Sequence, residues 1–325
     1  MTGTRAFARQ AGRRGVPAPG GRAGAWPAAL LACHTRRPVP EKADLVPTPG
    51  PPRSVPAAQP FSHAPRSGVH VVDWACELVG TALLVLGGLS AVFMDFGRGS
   101  PTVSLVHSHS LRLLLTGALF AACGSLVAVS PLGRRSGAHL NPAVTLAFWL
   151  RGHVHPHDLG GYIASQCCGA IAGAYAVKWL WGTRAEPVHY GVTLPGHGVG
   201  GWGAAGIEAL MTGLLIATIF AFVSSSRTAP WAPLAVWVVV ALLVWRGAGY
   251  TGTSLNPARS LGPALATGNW SYFWAYLVGP LGGAALVATL WAAAPRATLT
   301  AKLFHDARYK SMLGSHLPVK PGGAR

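Results

Sequence analysis

Two Asn-Pro-Ala tripeptides, Asn141-Pro142-Ala143 and Asn256-Pro257-Ala258, constrain this chain more than any other feature, because each opens an apolar run too short to cross a bilayer. Those runs lie near 140–150 and 256–267. Six other stretches, near 74–94, 111–130, 160–181, 204–224, 231–250 and 272–294, reach the roughly 20 residues that a spanning helix needs. The tripeptides belong to a larger repetition. Glu77-Leu-Val-Gly-Thr81-Ala-Leu-Leu-Val85 recurs as Glu208-Ala-Leu-Met-Thr212-Gly-Leu-Leu-Ile216, and Tyr162, Gln166, Gly169 and Ala170 are answered by Tyr276, Pro280, Gly283 and Ala284. Three signals in one order make two halves, 73–181 and 204–294.

Each half carries three spans, an odd number, so the second half enters the membrane from the opposite face and the repeat is inverted. The two short helices then dip in from opposite sides and meet near the midplane. Non-helical backbone survives at that depth only where protein buries it or water lines it. The fold predicted is an all-α polytopic membrane protein: six transmembrane helices plus two re-entrant half-helices around an aqueous path.

Composition agrees. Half of the residues are hydrophobic and 11% are charged, against about 25% charged in soluble domains. Of the 26 Lys and Arg, ten fall in residues 1–70 and six in 295–325. Residues 1–70, rich in Pro, Arg, Ala and Gly without periodicity, are expected to be a disordered tail; 71–296 is the membrane domain, and 297–325 a second basic tail. Basic tails beside apolar spans meet anionic lipid rather than nucleic acid. They also place both termini in the cytoplasm of a multi-pass protein of the cell membrane, with Arg134-Arg135 and Arg227 inside and loops 95–110 and 182–203 outside. The five cysteines show neither a disulfide framework nor a metal pattern. His153, His155 and His157 read as a solvated loop rather than a metal site, and no cofactor is expected.

Asn is a favoured N-cap and Pro suits the first helical position. The side-chain oxygen of Asn141 or Asn256 is thereby used by its own helix, which leaves an NH₂ to face the path. Two fixed donors at the midpoint orient a passing water by its oxygen. Two half-helix N-termini meet at the same place, each worth roughly +0.5 charge, and oppose protons and cations. Arg259, three residues beyond Asn256, is an arginine at membrane depth, where such a charge is costly and functional.

Ser136-Gly-Ala-His-Leu-Asn141-Pro-Ala-Val-Thr145 and Thr253-Ser-Leu-Asn256-Pro-Ala-Arg259-Ser-Leu-Gly-Pro263 resemble the two signature loops of the major intrinsic protein family, the aquaporins and aquaglyceroporins, over about residues 73–294. The resemblance implies a homotetramer with one pore per subunit, passing water or other small neutral solutes. It implies that Glu77 and Glu208 accept hydrogen bonds from the re-entrant loops, that His139 supports its loop, and that Arg259 is the fixed cation of the narrow filter. Laid on water channels, Val244 stands where a histidine is expected and Thr253 offers a backbone carbonyl. Ala118 or Ala121, with Ala118 preferred, replaces an aromatic, and Phe120 is expected to face elsewhere. Ser260 stands where glycerol channels carry an aspartate. Ala118, Val244, Thr253 and Arg259 predict a filter wide enough for glycerol or urea beside water; a strictly water-selective pore is the alternative. Inverted repeats also occur in secondary transporters, but the deep acids here are the two symmetric glutamates. No nucleophile–base or metal constellation suggests an enzyme.

Overall fold

Backbone groups in hydrocarbon have to be satisfied within their own segment, and this chain meets that demand with helices throughout. The computed structural model describes residues 70–294, 296–306, 308 and 309; the expected disordered tail lies outside them but for His70. Ten α-helices run in order among these residues: α1 (Val71–Phe96), α2 (Pro101–Leu105), α3 (His109–Val129), α4 (Pro131–Ser136), α5 (Pro142–Leu150), α6 (Pro156–Trp181), α7 (Gly201–Val223), α8 (Ala232–Thr251), α9 (Pro257–Thr267) and α10 (Phe273–Ala292). Six of them, α1, α3, α6, α7, α8 and α10, have 20 to 26 residues, which at about 1.5 Å per residue crosses a bilayer core of roughly 30 Å. Five are also strongly apolar. The exception, α6, spends part of its length on Asp158, Tyr162 and Gln166, which are buried and polar.

The spans pair by close approach of small residues, the usual device where no hydrophobic force separates helix from lipid. α1 packs on α6 and α7 on α10. A Cβ on Gly169 would lie 2.2 Å from the carbonyl oxygen of Leu78, and one on Gly283 would lie 2.0 Å from that of Ala209. Both positions accept only glycine. The half-helices cross between the halves: α5 lies against α10, and α9 against α6.

Two short stretches expected as plain loops have structure of their own. Residues 95–110 contain α2, and a 3-10 turn runs over Gly182–Gly191. The chain also does not leave the bundle after α10. Thr298, Thr300, Ala301, Lys302 and Leu303 are buried, and Ala301 and Leu303 join the main apolar core beside Phe148, Phe220 and Val223. The start of α1 lies at the same end, where Arg135 Nε donates to Asp73 at 2.6 Å.

Candidate functional site

Each half-helix begins as the sequence requires. Asn141 and Asn256 are extended (φ −157° and −149°), each accepts from the alanine amide two residues on, at 2.8 and 3.0 Å, and proline follows. Asn256 Oδ1 also accepts the amide of Arg259 at 3.3 Å. The amide groups then reach across the pseudo-twofold: Asn141 Nδ2 donates to the Leu255 carbonyl and Asn256 Nδ2 to the Leu140 carbonyl, both at 2.8 Å. An NH₂ has two hydrogens, so one ties the halves together and the second is left for the lumen that both side chains line.

The loops leading into the half-helices are strained in the same way. Ala138, Leu140, Thr253 and Leu255 have φ between 48° and 57°, a conformation that costs side-chain-bearing residues about 1–2 kcal/mol each. The glutamates hold them there. Glu77 accepts the amides of His139 (3.0 Å) and Leu140 (2.6 Å), the Ser136 hydroxyl (2.7 Å) and the Gln166 amide (2.8 Å). Glu208 accepts the amides of Ser254 and Leu255 (both 2.8 Å) and the Thr251 hydroxyl (2.7 Å). Tyr162 and Tyr276 complete the pairing by donating to the carbonyls of Ser136 (2.6 Å) and Thr251 (2.9 Å). The tyrosines, Gln166, Ser136 and Thr251 stand outside the site read from the sequence; the repeat, which pairs Tyr162 with Tyr276, is the signal that finds the tyrosines.

A cavity runs between the loops from Arg259 toward the end that carries Arg134. Leu84, Val236 and Val240 give it an apolar wall, and Asn141, Asn256, Ser254, His139 and Arg259 a polar one. It holds about 100 Å³, room for several waters at the roughly 10–15 Å³ that each requires. Arg259 is 5% exposed; Nη1 donates to the Gly191 carbonyl at 2.7 Å, and the guanidinium carbon lies 5.4 Å from the centre of the Phe120 ring. Ser260, beside it, joins Thr193 and Ser254 through hydroxyl contacts of 2.7 and 2.6 Å.

The second span departs from expectation. Phe120 and Ala121 line the cavity, and Ala118 does not; the Ala118 carbonyl instead accepts from Trp237 Nε1 at 2.7 Å. Phe120 lies over Gly88, where a Cβ would come within 2.4 Å of the ring, and that glycine admits the ring to the lumen. Val244 is buried against Gly117 of α3, and Thr253 sends its hydroxyl to the Leu243 carbonyl at 3.4 Å. Neither lines the cavity. Arg246 sits 4.0 Å over the Trp245 ring and is not among the residues that line the cavity.

His139 packs flat on Phe148 at 4.8 Å. Its Nε2 meets the Ala301 carbonyl at 2.9 Å and its Nδ1 meets Thr145 Oγ1 at 3.2 Å. A carbonyl only accepts, so the proton sits on Nε2. Among the described residues, no group of three His, Cys, Asp or Glu is placed to hold a metal ion.

Comparison with known proteins places this geometry. Residues 66–291 match the family model described as major intrinsic protein. A probable aquaporin TIP4-1 from Oryza sativa subsp. japonica is 34% identical over 229 residues, covering 68% of this chain and 88% of that one. Aquaporin-4 of Mus musculus is 33% identical over 225 residues, 67% of this chain and 65% of its own length. Among solved structures, the aquaglyceroporin from Plasmodium falciparum superposes with a TM-score of 0.60 at 21% identity, over 69% of this chain and 96% of that one.

Proposed function

The chain belongs to the major intrinsic protein family, and from that premise we propose that it is a passive pore for water and small neutral solutes such as glycerol or urea, closed to protons and ions. One observation carries the reading: both midpoint amides and Arg259 face one continuous cavity. A permeant there meets donors on one side and hydrocarbon on the other. Water satisfies the donors with its oxygen. A small polyol or urea does the same while its apolar side slides along Leu84, Val236 and Val240.

The filter of this reading is Arg259 with Phe120 and Ala121, all three on the cavity wall, while Val244 and Thr253, expected there from the sequence, are outside that lining. Phe120 restores an aromatic wall beside Arg259, while Val236 and Val240 keep the lining apolar. Such a ring discriminates by size without a second polar side chain. A strictly water-selective pore is the competing reading, favoured by Phe120 and by Ser260 in the place of an aspartate. Both termini face the cytoplasm of the cell membrane, so the Arg134 end is the inner mouth. Exposed apolar residues on α3 and α8, Leu126 and Leu242 among them, face lipid or the neighbouring subunits of a homotetramer.

Stopped-flow swelling of proteoliposomes holding the full chain, under water, glycerol and urea gradients, tests this. Water flux with measurable glycerol or urea flux is expected. Water flux with neither solute would establish the strict filter.

A further inference from the structure

The tail beyond α10 crosses the mouth of the lumen at the Arg134 end. It is pinned at both sides of that mouth. In the second half, the Leu299 amide donates to the carbonyl of Val223, the last residue of α7, at 3.1 Å. In the first half, the Leu303 amide donates to the Gly137 carbonyl at 2.9 Å, and the Ala301 carbonyl accepts His139 Nε2. Farther on, Asp306 pairs with Arg134 at 3.1 Å, and the Arg134 guanidinium lies 5.0 Å over the Phe304 ring. A segment fixed at both rims of an opening lies across it. Leu303 goes further: its side chain forms part of the wall of the same cavity that Asn141, Asn256 and Arg259 line.

We propose that Thr298–Asp306 is a plug for the inner mouth, with Leu303 seated in the lumen, and that its release sets the fraction of open channels. This rests on the pore reading above. The plug obstructs in two ways. Leu303 puts an apolar group where a water file would leave the pore, and its amide occupies the carbonyl of Gly137, next to the lining residue Ala138. The seat is shaped for release as well as closure. Lys302, fully buried beside Leu303, donates to the Tyr309 carbonyl. Burying an ammonium is costly even when paired, so the apolar gain at Ala301 and Leu303 is partly offset and the docked state keeps a modest margin.

The test uses the full chain in proteoliposomes, with water flux normalised to incorporated protein, and hydrogen exchange read at the Leu299 and Leu303 amides. Leu303→Met preserves an apolar plug and should match the parent. Leu303→Ala removes most of the seated group, enough to move the docked-to-free ratio by at least about tenfold. Leu303→Asp puts a charge there and should hold the segment off. Flux should rise in the order Met, Ala, Asp, several-fold overall, as both amides lose protection. Arg134→Ala, outside the lumen, should give a smaller rise of the same kind. Lost protection with unchanged flux would make the segment a structural brace and overturn the plug alone. Flux at the level of empty vesicles in every variant would overturn the pore reading with it.

Discussion

The two halves build one cradle and put different chemistry in it. In the first, Glu77 holds a loop with left-handed Ala138 and Leu140; in the second, Glu208 holds one with left-handed Thr253 and Leu255. Asn141 and Asn256 then exchange hydrogen bonds across the centre. At the lumen wall the correspondence stops. The third residue after the asparagine is Val144 in one half and Arg259 in the other, and both line the lumen. His139 answers to Ser254: the histidine meets the tail, and the serine joins the hydroxyl chain through Ser260 to Thr193. The repeat therefore supplies position, and its departures supply selection and closure.

The largest effect is expected where the halves agree. Glu77→Ala orphans two backbone amides, the Ser136 hydroxyl and one N–H of Gln166, whose Nε2 keeps its bond to Thr145, and Glu208→Ala two amides and the Thr251 hydroxyl. Each buried orphan costs about 1–3 kcal/mol, against a typical total stability of about 5–15 kcal/mol. Both variants should lose the folded channel, Glu77→Ala at the lower temperature, as read by thermal unfolding in detergent. If one glutamate proves dispensable, the cradles are not equivalent.

The next test erases a difference. Arg259→Val gives the second half the residue of the first. A fixed positive charge about 4 Å away opposes a cation by roughly 4 kcal/mol at an effective dielectric of 20. Its loss should admit a cation conductance and raise glycerol flux, with water flux kept. Vesicle conductance beside swelling rates checks this; unchanged ion exclusion would assign the barrier to the half-helix dipoles alone.

A smaller change is expected at α3. Ala121→Phe adds bulk to the lumen wall and should cut glycerol or urea flux several-fold while sparing water. Ala118→Phe, on a residue outside that wall, should leave the ratio of solute to water flux unaltered. Equal effects from the two would return the filter to the register read from sequence.

That register marks where the sequence ceases to speak. The signature loops are legible because an N-cap and a proline act locally; the glutamates, 46 to 63 residues away, are legible through the repeat that sets them at matched positions in each half. The facing of Phe120 is not. α3 meets lipid, protein and lumen on different sides, all with apolar residues, so periodicity cannot tell which residue faces water. The tail was obscure for another reason. Its partners His139 and Gly137 lie some 160 residues earlier, and the basic charge of the stretch hides the apolar Leu299, Leu303 and Phe304 within it.

The smallest expected effect concerns pH at the plug. Burial pushes the His305 imidazole below its ordinary 6.5, the nearby Lys302 ammonium adds to this, and Asp306 opposes it. A histidine lowered in the docked state contributes stability that is whole above pH 6.5 and falls away as pH drops through that value. Lowering the inner pH from about 7.5 to about 5.5 should raise water flux modestly, and His305→Gln should flatten the slope. A flux that falls on acidification would contradict this sign.

The central claim, a lumen that passes neutral molecules and refuses protons, is tested most directly in one vesicle preparation carrying the Leu303→Asp chain. Osmotic swelling and a trapped pH dye are followed together. Swelling well above that of empty vesicles, with a pH gradient that decays no faster than theirs, is the predicted result. A gradient that collapses as the vesicles swell, or solute entry that requires the gradient, would contradict it.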